Sequence, residues 1–349
     1  MRHQTALLLT SRQGHFALGI SKLPKPGPGE ILINVRATAL NPVDWKIYAL
    51  GIIVNKYPAV LGSDIAGVVE DVGEGVAGFS RGDRVLTQGV INVNSHSSFQ
   101  QYALGFSDVT AKIPEHLTFE QAATIPLALA TAAVGLFNQY SESGSAHLYP
   151  PWEPGGRGKY DGEPFLVFGG SSSVGQYVIQ LAKLAGFEPI ITTASPHNAK
   201  YLLDLGATHV LDRHLSADDT RSEIFHITSK PIQTIYDAVS LLETQNMAYD
   251  ILATGGCLVL VLNEVLDKKK KREDKRVVKV SGSTVVPEEN RAMGISLYSR
   301  LSALLDEGII KPNRVEILPN GLEGISDGLA RLGNGVSNIK LVARPMDTL

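Results

Sequence analysis

A turn rich in glycine and serine has the composition of a phosphate-binding loop. Its residues are Gly169, Gly170, Ser171, Ser172, Ser173, Val174 and Gly175. Small residues let the backbone approach a pyrophosphate, and the start of a following helix adds N–H groups and partial positive charge. The usual G-x-G-x-x-G pattern is absent, since Ser172 stands between Gly169 and Gly175. Such a loop alone is also compatible with an ordinary tight turn.

The residues about 20 positions beyond this turn predict which dinucleotide is bound. An NAD site places Asp or Glu there, at the end of the second strand, to hold the ribose 2′-hydroxyl. This chain has no carboxylate in 193–200, but it has Ser195, Asn198 and Lys200, which can donate to a 2′-phosphate. NADPH is therefore the predicted cofactor. Ser195 as a helix cap and Lys200 as a solvated lysine are the alternatives.

Strands and helices alternate around the turn, which raises the expectation of a dinucleotide site. The apolar run 165–168 precedes it, and a helical pattern follows that Gly186 closes as a C-cap. Further strand and helix patterns continue to about residue 262, as in a doubly wound parallel sheet. By contrast, the first third has short β-branched runs separated by Gly and Pro, which predicts a barrel-like domain. The length of 349 residues also suggests two domains.

Composition excludes several classes of function. A net charge of −3 gives no overall basic field for nucleic acid or an anionic membrane. The basic run 268–272 predicts a solvated loop, with a binding patch as the alternative. Cys257 is the only cysteine, so internal disulfides and multi-cysteine zinc sites are excluded. With no signal peptide and no run of roughly 18 apolar residues, we expect a soluble, cytoplasmic protein.

Several motifs in order resemble the medium-chain dehydrogenase/reductase superfamily across nearly the whole chain. They include Asn41-Pro42-Val43-Asp44-Trp45-Lys46, Gly62-Ser63-Asp64-Ile65-Ala66-Gly67, Gly82-Asp83-Arg84-Val85 and the closing Asn338-Ile339-Lys340-Leu341-Val342. The first motif and the Pro/Gly-rich loop 141–163 resemble the zinc-free branch, especially trans-acting enoyl reductases of fungal polyketide pathways and their toxin-cluster relatives, with quinone oxidoreductases nearby. The resemblance implies a GroES-like β-barrel catalytic domain (1–127), a Rossmann NADPH-binding domain (128–287) and a C-terminal segment (288–349) that returns to the catalytic domain.

The same resemblance suggests that the catalytic domain binds no zinc. Zinc-dependent relatives have a cysteine where this chain has Asn41 and a histidine where it has Ser63. Asn and Ser are poor zinc ligands, and Asp64 alone cannot complete a tetrahedral site.

Three residues are the catalytic candidates. The lysine of enoyl reductases that matches Lys46 lies in the cleft, so we expect Lys46 to contact the carbonyl or the cofactor; a surface lysine is the alternative. The threonine that matches Thr131 contacts the nicotinamide or the carbonyl, although Thr131 is also compatible with a bond to its own helix. Asn41 is a candidate hydrogen-bond donor. Leu262 and Lys340 are added to the predicted cofactor residues.

The leading hypothesis is an NADPH-dependent reductase that transfers hydride to an α,β-unsaturated carbonyl, an enoyl, enone or enal, in a secondary-metabolite pathway. The alternatives are an NADPH:quinone oxidoreductase and a non-catalytic NADPH-binding protein. The expected partner is a small-molecule substrate, with an acyl thioester on a carrier protein among the candidates. We expect neither nucleic-acid nor membrane binding, and either a monomer or a homodimer.

Overall fold

The computed structural model describes residues 2–140 and 144–348, so the first three residues of the predicted loop 141–163 lie outside it. The strands are β1 His3–Leu9, β2 Phe16–Lys22, β3 Glu30–Ala39, β4 Ala59–Val60, β5 Asp64–Val72, β6 Arg84–Gln88, β7 Tyr102–Phe106, β8 Thr110–Lys112, β9 Phe165–Phe168, β10 Ile190–Ala194, β11 His209–Asp212, β12 Thr234–Asp237, β13 Cys257–Leu260, β14 Arg276–Lys279, β15 Val315–Ile317 and β16 Lys340–Ala343. The helices are α1 Pro42–Leu50, α2 Phe119–Ala123, α3 Pro126–Phe137, α4 Ser173–Ala185, α5 Ala199–Leu205, α6 Ala217–Ile227, α7 Leu242–Ile251, α8 Glu288–Asp306 and α9 Gly324–Asn334.

The chain divides into two units. The first unit comprises Met1–Leu127, Tyr298–Asp306 and Pro312–Leu349. The second unit comprises Ala128–Leu297 and Glu307–Lys311.

A parallel sheet organises the second unit. Its strand order is β11-β10-β9-β12-β13-β14, and every neighbouring pair is parallel. This is the order of a dinucleotide-binding Rossmann sheet, in which the order of strand addition reverses between β9 and β12 and ligands bind beyond the carboxyl ends of the strands. The prediction of a doubly wound parallel sheet is confirmed.

The sequence explains why α4 begins and ends where it does. The Ser172 hydroxyl accepts the N–H of Gly175 at 3.0 Å, which caps the first turn. Gly186 ends the helix with φ +95°, a left-handed conformation that glycine adopts without strain, as predicted. Between these residues the helix is buried on all sides, since every residue from Gly175 to Ala182 is buried.

An antiparallel sheet organises the first unit. Its path is β15-β16-β3-β5-β6-β8, with β7 also paired to β3, and β15 pairs with β16 in parallel. A smaller sheet has the order β2-β1-β4. The predicted closing strand is β16, which pairs with β3 through Val342 and Ala39. The expected GroES-like fold is confirmed, and the C-terminal strand is part of its main sheet.

Two expectations from composition can be compared with the structure. The stretch Phe119–Phe137 is long and apolar enough to cross a membrane, so the expectation that no such stretch exists was wrong. Because 72% of it is buried inside the protein, it has the character of a core helix.

In the basic run 268–272, Lys270 pairs with Asp250, and Lys271 with Glu264. These pairs favour the solvated loop over the binding patch.

Candidate active site

The glycine- and serine-rich turn connects β9 to α4 in a tightly packed conformation. Gly169 has φ +75°, and a Cβ on Gly175 would overlap the carbonyl oxygen of Gly169. A Cβ on Gly170 would likewise collide with the Thr192 hydroxyl. Only glycine therefore fits these three positions, as in a turn whose backbone must come close to a pyrophosphate.

The serines of the turn have distinct positions. Ser172 caps α4, and the carbonyl of Ser171 accepts the side-chain amide of Gln176 at 3.1 Å. Ser173 and Val174 are the first two residues of α4, at the helix end that carries a partial positive charge. The Gly169 N–H donates to the Thr193 hydroxyl at 3.1 Å, which ties the turn to β10. The turn fits an anionic diphosphate.

At the end of β10, Ser195 contacts an arginine that the sequence analysis missed. Nε of Arg213 donates to Oγ of Ser195 at 2.9 Å. Ser195 is the N-cap residue of the short 3-10 helix that begins at Pro196, as the alternative interpretation placed it, but its side chain makes no capping hydrogen bond. Asn198 is buried and Lys200 is exposed, both close in sequence to Ser195. The sequence held one signal for Arg213, its position directly after β11. Because the carboxyl ends of neighbouring parallel strands lie at the same edge of a sheet, a residue at that position is expected near the end of β10.

Thr131 lies on α3 in close contact with a second residue that the sequence did not reveal. A Cβ on Gly282 would overlap the Thr131 hydroxyl, so the backbone of residue 282, beyond the end of β14, packs directly against it. The Thr131 carbonyl accepts the hydroxyl of the fully buried Tyr236 at 2.9 Å. Leu262, half-buried, follows the carboxyl end of β13.

Lys46 is partly buried on α1 in the first unit. Its ammonium lies 5.7 Å from the centre of the Trp45 ring. Burial lowers the pKa of Lys46, because desolvation disfavours the charged form. A lysine with a lowered pKa releases its proton more readily than a solvated one.

The two remaining predicted residues, Asn41 and Lys340, are in direct contact in a buried polar cluster. Nζ of Lys340 donates to Oδ1 of Asn41 at 2.5 Å and lies 3.3 Å from Oδ2 of Asp64. Nδ2 of Asn41 donates to the same carboxylate oxygen at 2.7 Å. The Lys340 and Asp64 side chains are 4% and 0% exposed. We call Asn41, Asp64 and Lys340 the buried polar cluster.

This cluster is unsuited to zinc. Asn41 and Ser63, which the sequence resemblance matches to zinc ligands, offer neither thiolate nor imidazole. Instead, the Lys340 ammonium lies where it repels a second cation and balances Asp64. Among residues 2–140 and 144–348, no group of three His, Cys, Asp or Glu side chains is arranged to hold a metal.

Asp44 adjoins the cluster at the start of α1. Its Oδ2 accepts the backbone N–H of Asn41 at 2.8 Å. Burial, the largest influence, raises the pKa of Asp44 to about 7; the bond from Asn41 opposes this rise and the nearby Asp64 adds to it. The carboxyl therefore retains its proton far above the usual range for aspartate.

Comparisons with known proteins agree with this architecture. A model of the alcohol dehydrogenase GroES-like domain matches residues 27–140, and one described as zinc-binding dehydrogenase matches residues 173–305. A trans-enoyl reductase of Gibberella fujikuroi is 31% identical over 91% of this chain and 92% of its own length. The chain belongs to the medium-chain dehydrogenase/reductase superfamily. As a member, it is an oxidoreductase with a fold that binds nicotinamide dinucleotides.

Other superfamily members extend the comparison. A dehydrogenase of Monascus ruber, pigH, is 44% identical, but the match spans 54% of this chain and about half (52%) of that relative. An alcohol dehydrogenase superfamily protein from Novosphingobium aromaticivorans has 26% identity and a TM-score of 0.79, covering 97% of this chain and 98% of its own. A mycobacterial protein solved with NADPH has 24% identity and a TM-score of 0.75, covering 98% of this chain and 100% of its own. The last likeness concerns the fold alone.

Proposed function

We propose that this superfamily member is a zinc-independent, NADPH-dependent reductase that transfers hydride to an α,β-unsaturated carbonyl. The observation that carries the proposal is the buried polar cluster, in which Asn41, the residue that the sequence resemblance matches to a zinc ligand, is bound by Lys340 and Asp64. Hydride transfer here must then rely on protein side chains for electrostatic stabilisation. The trans-enoyl reductase relative supports a conjugated carbonyl as the acceptor.

NADPH as the cofactor rests on the ends of β9 and β10. The turn 169–175 would hold the pyrophosphate, and Ser195 with Arg213 would hold a 2′-phosphate. An arginine suits a phosphate because its planar guanidinium donates several hydrogen bonds and keeps its charge. When bound, NADPH supplies the hydride.

The chain's own residues would stabilise the charge that develops on the substrate. Reduction at the β-carbon places negative charge on the carbonyl oxygen, and the Lys46 ammonium and the Thr131 hydroxyl are the proposed stabilising groups. The lowered pKa of Lys46 also suits it to return a proton to the α-carbon. The Asn41 amide is already engaged by Asp64 and Lys340, so we assign it a supporting rather than a substrate-binding part.

The test is NADPH oxidation with matched enals, enones, enoyl thioesters and quinones. We expect the wild type to reduce an unsaturated carbonyl. The Lys46→Met variant should lose this activity, whereas Lys25→Met, at an exposed position, should keep it. Turnover of quinones alone would favour the quinone oxidoreductase. NADPH binding without hydride loss to any acceptor would favour a non-catalytic protein.

We further propose that the substrate is an acyl thioester carried on a carrier protein. The same enoyl group, presented as a free thioester and on a carrier protein, would give different KM values if the carrier is recognised. Equal values would leave a free small molecule as the substrate.

A further inference from the structure

We propose that the buried polar cluster is a positioning device that fixes the starts of two helices, α1 and α3, on which Lys46 and Thr131 lie. This inference rests on the proposed function, since it assigns the cluster a part in the same reaction. The cluster would act through helix placement and not by contact with the substrate. Asn41, Asp64 and Lys340 are therefore positioning residues.

Asp64 is the centre of the cluster because it accepts hydrogen bonds from distant segments. Its Oδ2 receives Nδ2 of Asn41 at 2.7 Å and faces Nζ of Lys340 at 3.3 Å. Its Oδ1 receives the backbone N–H of Leu127 at 2.7 Å. Both oxygens of a fully buried carboxylate are thus used, and its charge is balanced by one ammonium. Such a network has a defined geometry, since moving any partner would leave a buried polar group unsatisfied.

Asn41 and Leu127 both lie at helix starts. Asn41 is the N-cap residue of α1, and Lys46 follows five residues later. Leu127 is the second residue of α3, and Thr131 lies four residues further, about one helical turn. A carboxylate at a helix start is favourable, because the free N–H groups carry partial positive charge. One carboxylate therefore anchors the first turns of both helices that carry the proposed catalytic side chains.

Lys340 was predicted to contact the cofactor, whereas this proposal makes it a positioning residue, and the two roles predict different results. Its ammonium is 4% exposed and is engaged by Asn41 and Asp64. A cofactor contact predicts that removing the charge weakens NADPH binding. A positioning role predicts a fall in kcat with unchanged NADPH affinity, since small displacements of reacting groups slow the chemical step.

The informative variant is the double substitution Asp64→Leu and Lys340→Met. It removes both charges together, so no unpaired charge stays buried, and apolar side chains of similar size fill the space. We expect this variant to fold with a smaller loss of Tm than either single substitution, because the Asn41 amide and the Leu127 N–H lose partners but no charge is left unpaired. Either single substitution should lower the Tm, because it leaves its partner buried and uncompensated. The control is Arg344→Met, which breaks the half-exposed pair with Glu120 just beyond β16.

Three measurements test the proposal: kcat for an unsaturated carbonyl, Kd for NADPH and amide hydrogen exchange over residues 126–131. In the double variant we expect kcat to fall about 100-fold, an unchanged NADPH Kd and faster exchange at the start of α3. The Arg344→Met control should match the wild type in all three. A double variant with wild-type kcat, or one that loses only NADPH affinity, would overturn the proposal.

The exchange measurement distinguishes failure of this inference from failure of the proposed function. If the wild type reduces no unsaturated carbonyl, yet exchange over 126–131 accelerates in the double variant, the anchoring of α3 is supported while the assigned reaction is wrong. If the wild type is active and the double variant exchanges as slowly as the wild type, the anchoring is wrong and the reaction stands.

Discussion

Replacing Asp44 by asparagine should flatten the pH dependence of the free energy of unfolding. Burial raises the pKa of Asp44 from 3.8 to about 7. The folded protein therefore binds this proton more tightly than the unfolded chain does. The stabilisation from this tighter proton binding is complete below about pH 4. It is lost as the pH rises through the folded-state pKa of about 7.

The magnitude follows from the shift. One pKa unit corresponds to about 1.4 kcal/mol, so the full shift amounts to about 4 kcal/mol. Between pH 5 and pH 8 the free energy of unfolding of the wild type should fall by about 2 to 3 kcal/mol from this cause. Asparagine does not titrate, and its side-chain oxygen can still accept the Asn41 N–H that Asp44 accepts at 2.8 Å. The variant should therefore gain about 2 to 3 kcal/mol relative to the wild type over this range.

The assay is urea unfolding at several pH values, followed by the fluorescence of Trp45 and Trp152. Asp237, whose pKa burial raises to about 6, titrates in both proteins and cancels in the difference. Asp161→Asn, at an exposed position, is the control and should follow the wild type. Parallel curves for Asp44→Asn and the wild type between pH 5 and pH 8 would refute the reasoning.

Three further changes test the site. Arg213→Ala should raise KM for NADPH about tenfold with little effect on NADH, because it removes a charge-assisted hydrogen bond; equal effects on both cofactors, measured by steady-state kinetics, would argue against a 2′-phosphate contact. Gly282→Ala should lower kcat and cost about 1 to 3 kcal/mol of stability, since its Cβ would overlap the Thr131 hydroxyl; unchanged kcat and thermal stability would contradict that packing. In a pH–rate profile, the alkaline fall in kcat should lie below the ordinary lysine value of 10.5, because burial lowers the pKa of Lys46; a fall at or above 10.5 would argue against Lys46 as the titrating group.

Local sequence was sufficient to predict the dinucleotide-binding half of the fold. The turn 169–175 and the C-cap at Gly186 are features of neighbouring residues, and strand–helix alternation then implies a parallel sheet. Their physical causes, small side chains and the left-handed φ of glycine, act within a few residues of each other. The structure has these features where the pattern predicts them.

The two missed residues, and the unpredicted pairing of Lys340 with Asn41, depend on contacts between distant parts of the chain. Arg213 meets Ser195 only because β10 and β11 are adjacent in the sheet. Gly282 approaches Thr131 from a segment 151 positions away. Lys340 meets Asn41 across 299 residues, so the motif in which it occurs gives no sign of its partner. Single-sequence patterns indicate residue types and local elements, whereas these pairs arise from strand order and burial.

The buried polar cluster also limits the chemistry that the site can perform. Lys340 balances Asp64 but is enclosed, so its charge is not available to polarise a substrate oxygen. Oxidation of a simple alcohol would place charge on an isolated alkoxide, which is hard to stabilise without a strong electrophile beside it. A conjugated carbonyl spreads the negative charge over oxygen and carbon, so one ammonium and one hydroxyl, the roles proposed for Lys46 and Thr131, would suffice. Under the proposed function, the internally paired cluster and the conjugated acceptor therefore belong together.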